Sequence, residues 1–170
     1  MLFRSADPAN PVRGIVFDGR LAEDFKLSSG TWVHVGMLRI QAIAAGAPAV
    51  QDAVITGHDR EEVGMLVFPN LAGCRALCPD APASATLKEL IGRPTVRACV
   101  ANGLAKLASV SDASSRRIAR ALLMDEPPSI DASEITDKGY INQQAVLERR
   151  AALVERLYAE TPDPDVIRLA

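Results

Sequence analysis

No window of this 170-residue sequence holds an apolar run long enough to span a bilayer, so a membrane protein of the helical kind is not expected. Charge of one sign is not in excess either. With 19 basic and 21 acidic residues the net charge is -2, and no stretch collects the Lys and Arg that a phosphate backbone demands, which argues against nucleic acid as a partner. The opening residues show neither a charged segment followed by an apolar one nor a small-residue cleavage site, and a cytoplasmic address is expected. Cysteine is sparse and odd in number: Cys74, Cys78 and Cys99 are expected to be free thiols rather than a disulfide framework. There are two histidines, His34 and His58, neither at a zinc-site spacing from the cysteines, so no metal site is expected. A Walker or dinucleotide phosphate loop, a nucleophile elbow, a His-based triad and internal repeats are all missing.

What is present is a balanced globular composition, 48% hydrophobic and 24% charged, in a length that suits one main domain. Residues 6–14, with Pro8, Pro11 and Gly14, read as an entry loop. Residues 14–18 and 31–35 are rich in β-branched and aromatic side chains and predict strands, with a polar stretch from Gly19 to Gly30 between them. Residues 37–45 repeat apolar positions at three and four and predict a short helix. Residues 50–56 and 63–68 flank a turn and predict an antiparallel hairpin at the centre of a sheet. Residues 70–83 read as a loop. Helices are predicted over 86–91 and 95–110, the second with an apolar stripe through Val96, Cys99, Val100, Leu104 and Leu107 and with Pro94 at a tolerant first position. A strand over 118–124, a long exposed loop over 125–136 and an amphipathic terminal helix carrying Leu147, Ala151, Val154 and Tyr158 complete the chain. Strands and helices alternate without the βαβ rhythm of a doubly wound fold, which predicts an α+β domain, a small mixed β-sheet flanked by helices.

Three segments carry a resemblance. Gly19-Arg20 followed by Asp24, Phe25, Lys26 and Gly30, then Ala53-Val54-Ile55-Thr56-Gly57-His58-Asp59, then Ile135-Thr136-Asp137-Lys138-Gly139-Tyr140-Ile141 occur in the order found in the C-terminal domain of the adenylate-forming (acyl-CoA synthetase) superfamily. The longer runs, residues 17–27 and 134–143, resemble feruloyl-CoA synthetases. The resemblance implies that residues 1–21 are the tail of a large N-terminal adenylation domain and residues 22–170 a mobile C-terminal lid. It implies an ATP-dependent acid-CoA ligase forming AMP. ATP, Mg2+ and coenzyme A would serve the full-length enzyme, with none held tightly by this chain. Its partners would be the large domain, a small carboxylic acid, ATP and CoA. The chain alone is expected to be inactive.

The site residues follow from the same resemblance. Lys138 matches the lysine that meets negative charge during adenylation, a role suited to a compact ammonium on a flexible stem. The usual family order is Ser-Gly-Lys, whereas Lys138 precedes Gly139, and Tyr140 is the other candidate for that place. Arg20 matches a nucleotide contact, for which a guanidinium fork is apt. Ser29 and Gly30 match a CoA contact, glycine permitting close backbone approach. Trp32 stands where relatives often carry a phosphate-contacting arginine. The hinge falls at Ala22, Glu23 or Asp24: counting from Gly19-Arg20 gives Ala22, and counting back from Gly30 gives Glu23. The competing reading is a stand-alone α+β binding or interaction module without chemistry.

Overall fold

The computed structural model describes residues 3–5, 15–17, 23–110 and 113–169. Arg20 and Ala22 lie outside the described residues. Strands β1 (Phe3–Ser5) and β2 (Ile15–Phe17) form an antiparallel pair, the second of them at the expected place. A second small pair joins β3 (Phe25–Lys26) to β4 (Trp32–Val33), after which α1 (Val35–Ala45) begins.

The main sheet has the order β5-β6-β7-β8, built from β5 (Val50–Thr56), β6 (Val63–Pro69), β7 (Ile118–Leu123) and β8 (Val166–Arg168). β5 and β6 are the expected antiparallel hairpin, with Val54 opposite Leu66. β6 runs parallel to β7, with Leu66 opposite Leu122, and β8 is antiparallel to β7, so the sheet is mixed. A parallel neighbour cannot follow by a tight turn, and the crossover is made by α2 (Leu71–Leu77), α3 (Leu87–Ile91) and α4 (Pro94–Ser109).

Every residue of β6 is buried, which explains its unbroken apolar run: both faces of the sheet are covered. Alternation sorts its side chains. Val63, Met65 and Val67 join α1 to α4 in one core, through Leu38, Cys74, Leu90, Val100 and Leu104. Leu66 and Phe68 join Leu122, Val146 and Leu157 in a second core on the opposite face, under α5 (Gln143–Arg149) and α6 (Ala151–Tyr158). Helix α4 lies so close to the end of α1 that a Cβ on Gly103 would stand 1.9 Å from the Ala45 carbonyl oxygen.

Several expectations need correction. The stretch 70–83 is not all loop, because Asn70 accepts a hydrogen bond from the Gly73 N–H (3.1 Å) and starts α2. The β5–β6 pair is not central as a pair: β5 is the sheet edge, since β7 and β8 add only on the β6 side. The terminal helix is two helices, broken at Arg150 (φ -103°, ψ 27°), whose side chain turns inward. The loop over 125–136 is not uniformly exposed, because Glu134 is completely buried. Strand β8 went unforeseen, its three residues being too few to show alternation.

Candidate functional site

The segment read as a hinge enters the fold through Asp24. One carboxylate oxygen accepts the Val35 N–H at the start of α1 (2.9 Å), and the other lies 2.9 Å from His34 Nδ1. A carboxylate at a helix N-terminus meets orphan N–H groups and the positive end of the helix dipole, so Asp24 caps α1 from eleven residues upstream. Phe25 is buried beside it. The β3–β4 hairpin is tied to the β5–β6 turn by two backbone bonds, Ser28 N–H to the Arg60 carbonyl (2.9 Å) and Asp59 N–H to the Lys26 carbonyl (3.1 Å).

At the hairpin tip, Ser29 and Gly30 are exposed. Ser29 Oγ is 2.9 Å from Thr31 Oγ1. Gly30 has φ +80° and open space where a Cβ would stand, so within this chain glycine is required by the turn's backbone and not by a close neighbour. Trp32 is 53% exposed, with the Lys26 ammonium 5.0 Å above its ring, a cation-π pair on the surface.

The Lys138 loop is a miniature hairpin. Ile135 and Ile141 bridge antiparallel, the Thr136 N–H donates to the Tyr140 carbonyl (2.8 Å), and the Gly139 N–H donates to the Thr136 carbonyl (2.9 Å). Gly139 takes φ +78°, the left-handed residue that closes such a turn. Lys138 and Tyr140 are both exposed, Tyr140 at 61%. Neither side chain is held by a hydrogen bond or ion pair among the described residues.

Below the loop, Glu134 accepts from Arg150 Nε (2.7 Å), Arg150 Nη2 (3.0 Å), Arg149 Nη1 (3.0 Å) and the Ser129 N–H (2.7 Å). The hydrogen bonds from Arg150, foremost, pull its carboxyl down to about 2, against the resistance of burial. Sequence reasoning missed this pair, although a signal existed. Arg150 falls on the apolar side of a helical repeat through Leu147, Val154 and Tyr158, and a charge there must find a partner.

A cleft of about 420 Å³ joins the two regions. Glu23, Asp24 and Phe25 form one wall, Asn142, Gln143 and Gln144 another, and His58 lines it too. Gln143 is buried, its side-chain oxygen accepting the Ile55 N–H (3.1 Å), which satisfies a donor on the open edge of β5 and fixes the start of α5. Lys138, Ser29 and Gly30 do not line this cleft. His58, Asn142 and Gln143 lie within segments that carry the family resemblance, but sequence reasoning assigns none of them a site role.

The three cysteines are free thiols. Burial first, and then the neighbouring Cys78 and Cys99, push the Cys74 thiol up to about 11, which leaves it protonated and inert at neutral pH. Among the described residues no group of three or more His, Cys, Asp or Glu could hold a metal ion, and no helix is long and apolar enough to cross a membrane.

Comparison with known proteins agrees with this architecture. Two curated relatives come from Arabidopsis thaliana. The first, the probable chloroplastic acyl-activating enzyme 16, is 28% identical over 146 residues, covering 85% of this chain and 19% of that protein. The second, the chloroplastic long-chain-fatty-acid acyl-carrier-protein ligase AEE15, is 26% identical over 145 residues, covering 85% and 18%. The chain thus spans about a fifth of the length of these relatives. The fold is shared with the adenylation and carrier didomain of a carboxylic acid reductase from Segniliparus rugosus in complex with AMP (TM-score 0.64, 22% identity, 93% of this chain and 20% of that one). It is shared too with the adenylation domain of a carboxylate reductase from Mycobacterium chelonae (TM-score 0.63, 18% identity, 86% and 21%). Residues 34–162, three quarters of the sequence, match the AMP-binding enzyme C-terminal domain. The α+β fold and the family match lead to one assignment: this chain belongs to the AMP-binding enzyme C-terminal domain family of adenylate-forming enzymes.

Proposed function

We propose that residues 22–170 act as the mobile lid of an ATP-dependent acid-CoA ligase, with residues 1–21 the tail of its large N-terminal adenylation domain. The observation that carries this reading is the cleft in which Glu23 and Asp24, from the segment read as the hinge, face Asn142 and Gln143, which follow the Lys138 loop directly. A rotation about the hinge would then carry that loop with the lid as one body.

In the adenylation half-reaction, a carboxylate oxygen attacks the α-phosphate of ATP, the bond to the β-phosphate breaks, pyrophosphate leaves and the acyl-adenylate forms, with negative charge gathering between carboxylate and α-phosphate. Lys138 is the side chain for that charge, an unpaired ammonium on an exposed tip. Arg20 would contact the nucleotide. In the second half-reaction the lid turns, Lys138 withdraws, and the exposed Ser29-Gly30 tip faces the incoming CoA. Mg2+ would accompany ATP, but the described residues provide no acidic cluster for it, and no step of the lid's chemistry is assigned to the ion. The runs over 17–27 and 134–143 favour an aromatic acid of the ferulate type as substrate. The acyl-carrier-protein ligase among the relatives makes a carrier-bound thiol the second acceptor to assay.

Separate assays of the half-reactions test the reading in the ligase that carries this domain. Lys138→Ala should lower pyrophosphate release about 100 to 1000-fold while thioester formation from a supplied acyl-adenylate persists. If Tyr140→Phe produces that loss and Lys138→Ala does not, the role belongs to Tyr140. Full adenylation by both variants would remove the loop from the chemistry.

A further inference from the structure

A hairpin as short as the one bearing Lys138 cannot hold its own direction. It has one bridged residue pair, a few turn hydrogen bonds and an exposed tip, whereas even a full two-stranded hairpin is marginal alone in water. Its orientation must come from the base.

Both ends of the base are anchored. At the far end, Asn142 donates its N–H to the Glu134 carbonyl (2.9 Å), and Gln143 is bonded to the edge of β5. At the near end, Glu134 meets Arg150. The guanidinium uses all five of its donors: Nε and Nη2 on Glu134, Nη2 also on the Pro127 carbonyl (2.9 Å), and Nη1 on the Glu126 carbonyl (3.0 Å) and Met124 Sδ (3.4 Å). It also stacks 5.1 Å from the centre of the Phe68 ring, on the second face of central strand β6. One side chain therefore ties the exit of β7, the stem of the loop and the α5–α6 junction to the sheet.

A fully buried ion pair is a poor way to gain stability, because desolvation offsets most of the attraction and an apolar pair of similar volume often does as well. What it provides is direction: a planar fork on a carboxylate admits one arrangement. We infer that Glu134, held by Arg150, is a positioning residue for the Lys138 loop, setting where the loop tip points when the lid closes for adenylation. The inference rests on the reading of the loop under Proposed function.

Glu134→Gln keeps the side-chain shape and removes the charge. In this chain it should speed amide exchange of residues 135–142 at least about tenfold, with exchange in β6 and β7 unchanged. In the ligase it should lower kcat for adenylation about tenfold or more with KM for acid and ATP unchanged, and spare the thioester half-reaction. Unchanged loop exchange, or equal acceleration in the loop and in β6 and β7, overturns the inference. A loosened loop with full adenylation would uphold the anchor and overturn the catalytic reading, so the two failures are distinguishable. Should Glu134→Gln not fold, the double variant Glu134→Leu, Arg150→Met restores an uncharged interior, and the same exchange measurement decides between the same outcomes.

Discussion

At the scale of single residues, a buried charge reveals more than an exposed one. Glu134 has no exposed surface and four hydrogen bonds, and its carboxyl lies at about 2, below the ordinary value of 4.5. A carboxylate depressed on folding adds stability at any pH above its unfolded value, and that contribution fades as pH falls toward the folded value. The anchor is thus fully ionised near neutrality, and its contribution declines between pH 4.5 and about 2. Unfolding free energies from urea titrations across that interval should fall more steeply for the native chain than for Glu134→Gln, by on the order of 2 kcal/mol in total. Parallel curves would mean that the pair does not titrate as its surroundings require. Lys138 and Tyr140 are the opposite case: both are exposed, and no hydrogen bond or ion pair among the described residues holds either side chain, so burial and pairing say nothing of what they do.

At the scale of elements, periodicity was readable where an element buries one long face. Helix α4 spans Pro94–Ser109 with Val96, Val100 and Leu104 buried, as the stripe and Pro94 together predicted. The hairpin of β5 and β6 was readable for the same reason. Short elements were not, since α2 has seven residues and depends on a cap from Asn70 and on Arg75 donating to the Ala85 carbonyl (3.0 Å). The break between α5 and α6 was hidden because Arg150 continues the helical spacing while its side chain answers a residue sixteen positions away. Close packing between elements is equally invisible in a linear pattern. Gly103→Ala would drive a methyl into the Ala45 carbonyl, and because the obstacle is backbone it cannot swing aside. A loss of about 1 to 3 kcal/mol or more is expected in urea unfolding, against a gain of about 0.4 to 1 kcal/mol for Gly92→Ala, where the backbone is right-handed helical and a Cβ would find ordinary contacts at 3.6 Å. Equal effects would show that α1 and α4 separate more easily than the packing implies.

At the scale of the whole molecule, the proposed hinge would decide whether one lid can serve two half-reactions. The Asp24 carboxylate is bound to Val35 and His34, so if the proposed lid turns, its rotation would be absorbed most easily by backbone bonds on the N-terminal side of Asp24. Proline fixes φ near -65° and restricts the residue before it, which should trap one orientation. Ala22→Pro in the full ligase is expected to keep adenylation while thioester formation drops by about tenfold or more, with Glu23→Pro the second choice. Equal loss in both half-reactions, or none in either, would count against a lid that turns here.

The sequence by itself determined the α+β class, the order of the main elements and the family, because these reside in local periodicity, turn chemistry and runs of residues that a linear pattern displays. Only the tertiary structure decided that Asp24 caps α1, that Gln143 closes the edge of β5, and that Glu134 and Arg150 share a buried bond at the root of the loop. Each of these is a polar group satisfied by a partner 11, 88 or 16 residues away, and such a pairing leaves no periodic trace. A buried donor or acceptor must be matched somewhere, but the chain's path through space selects the partner.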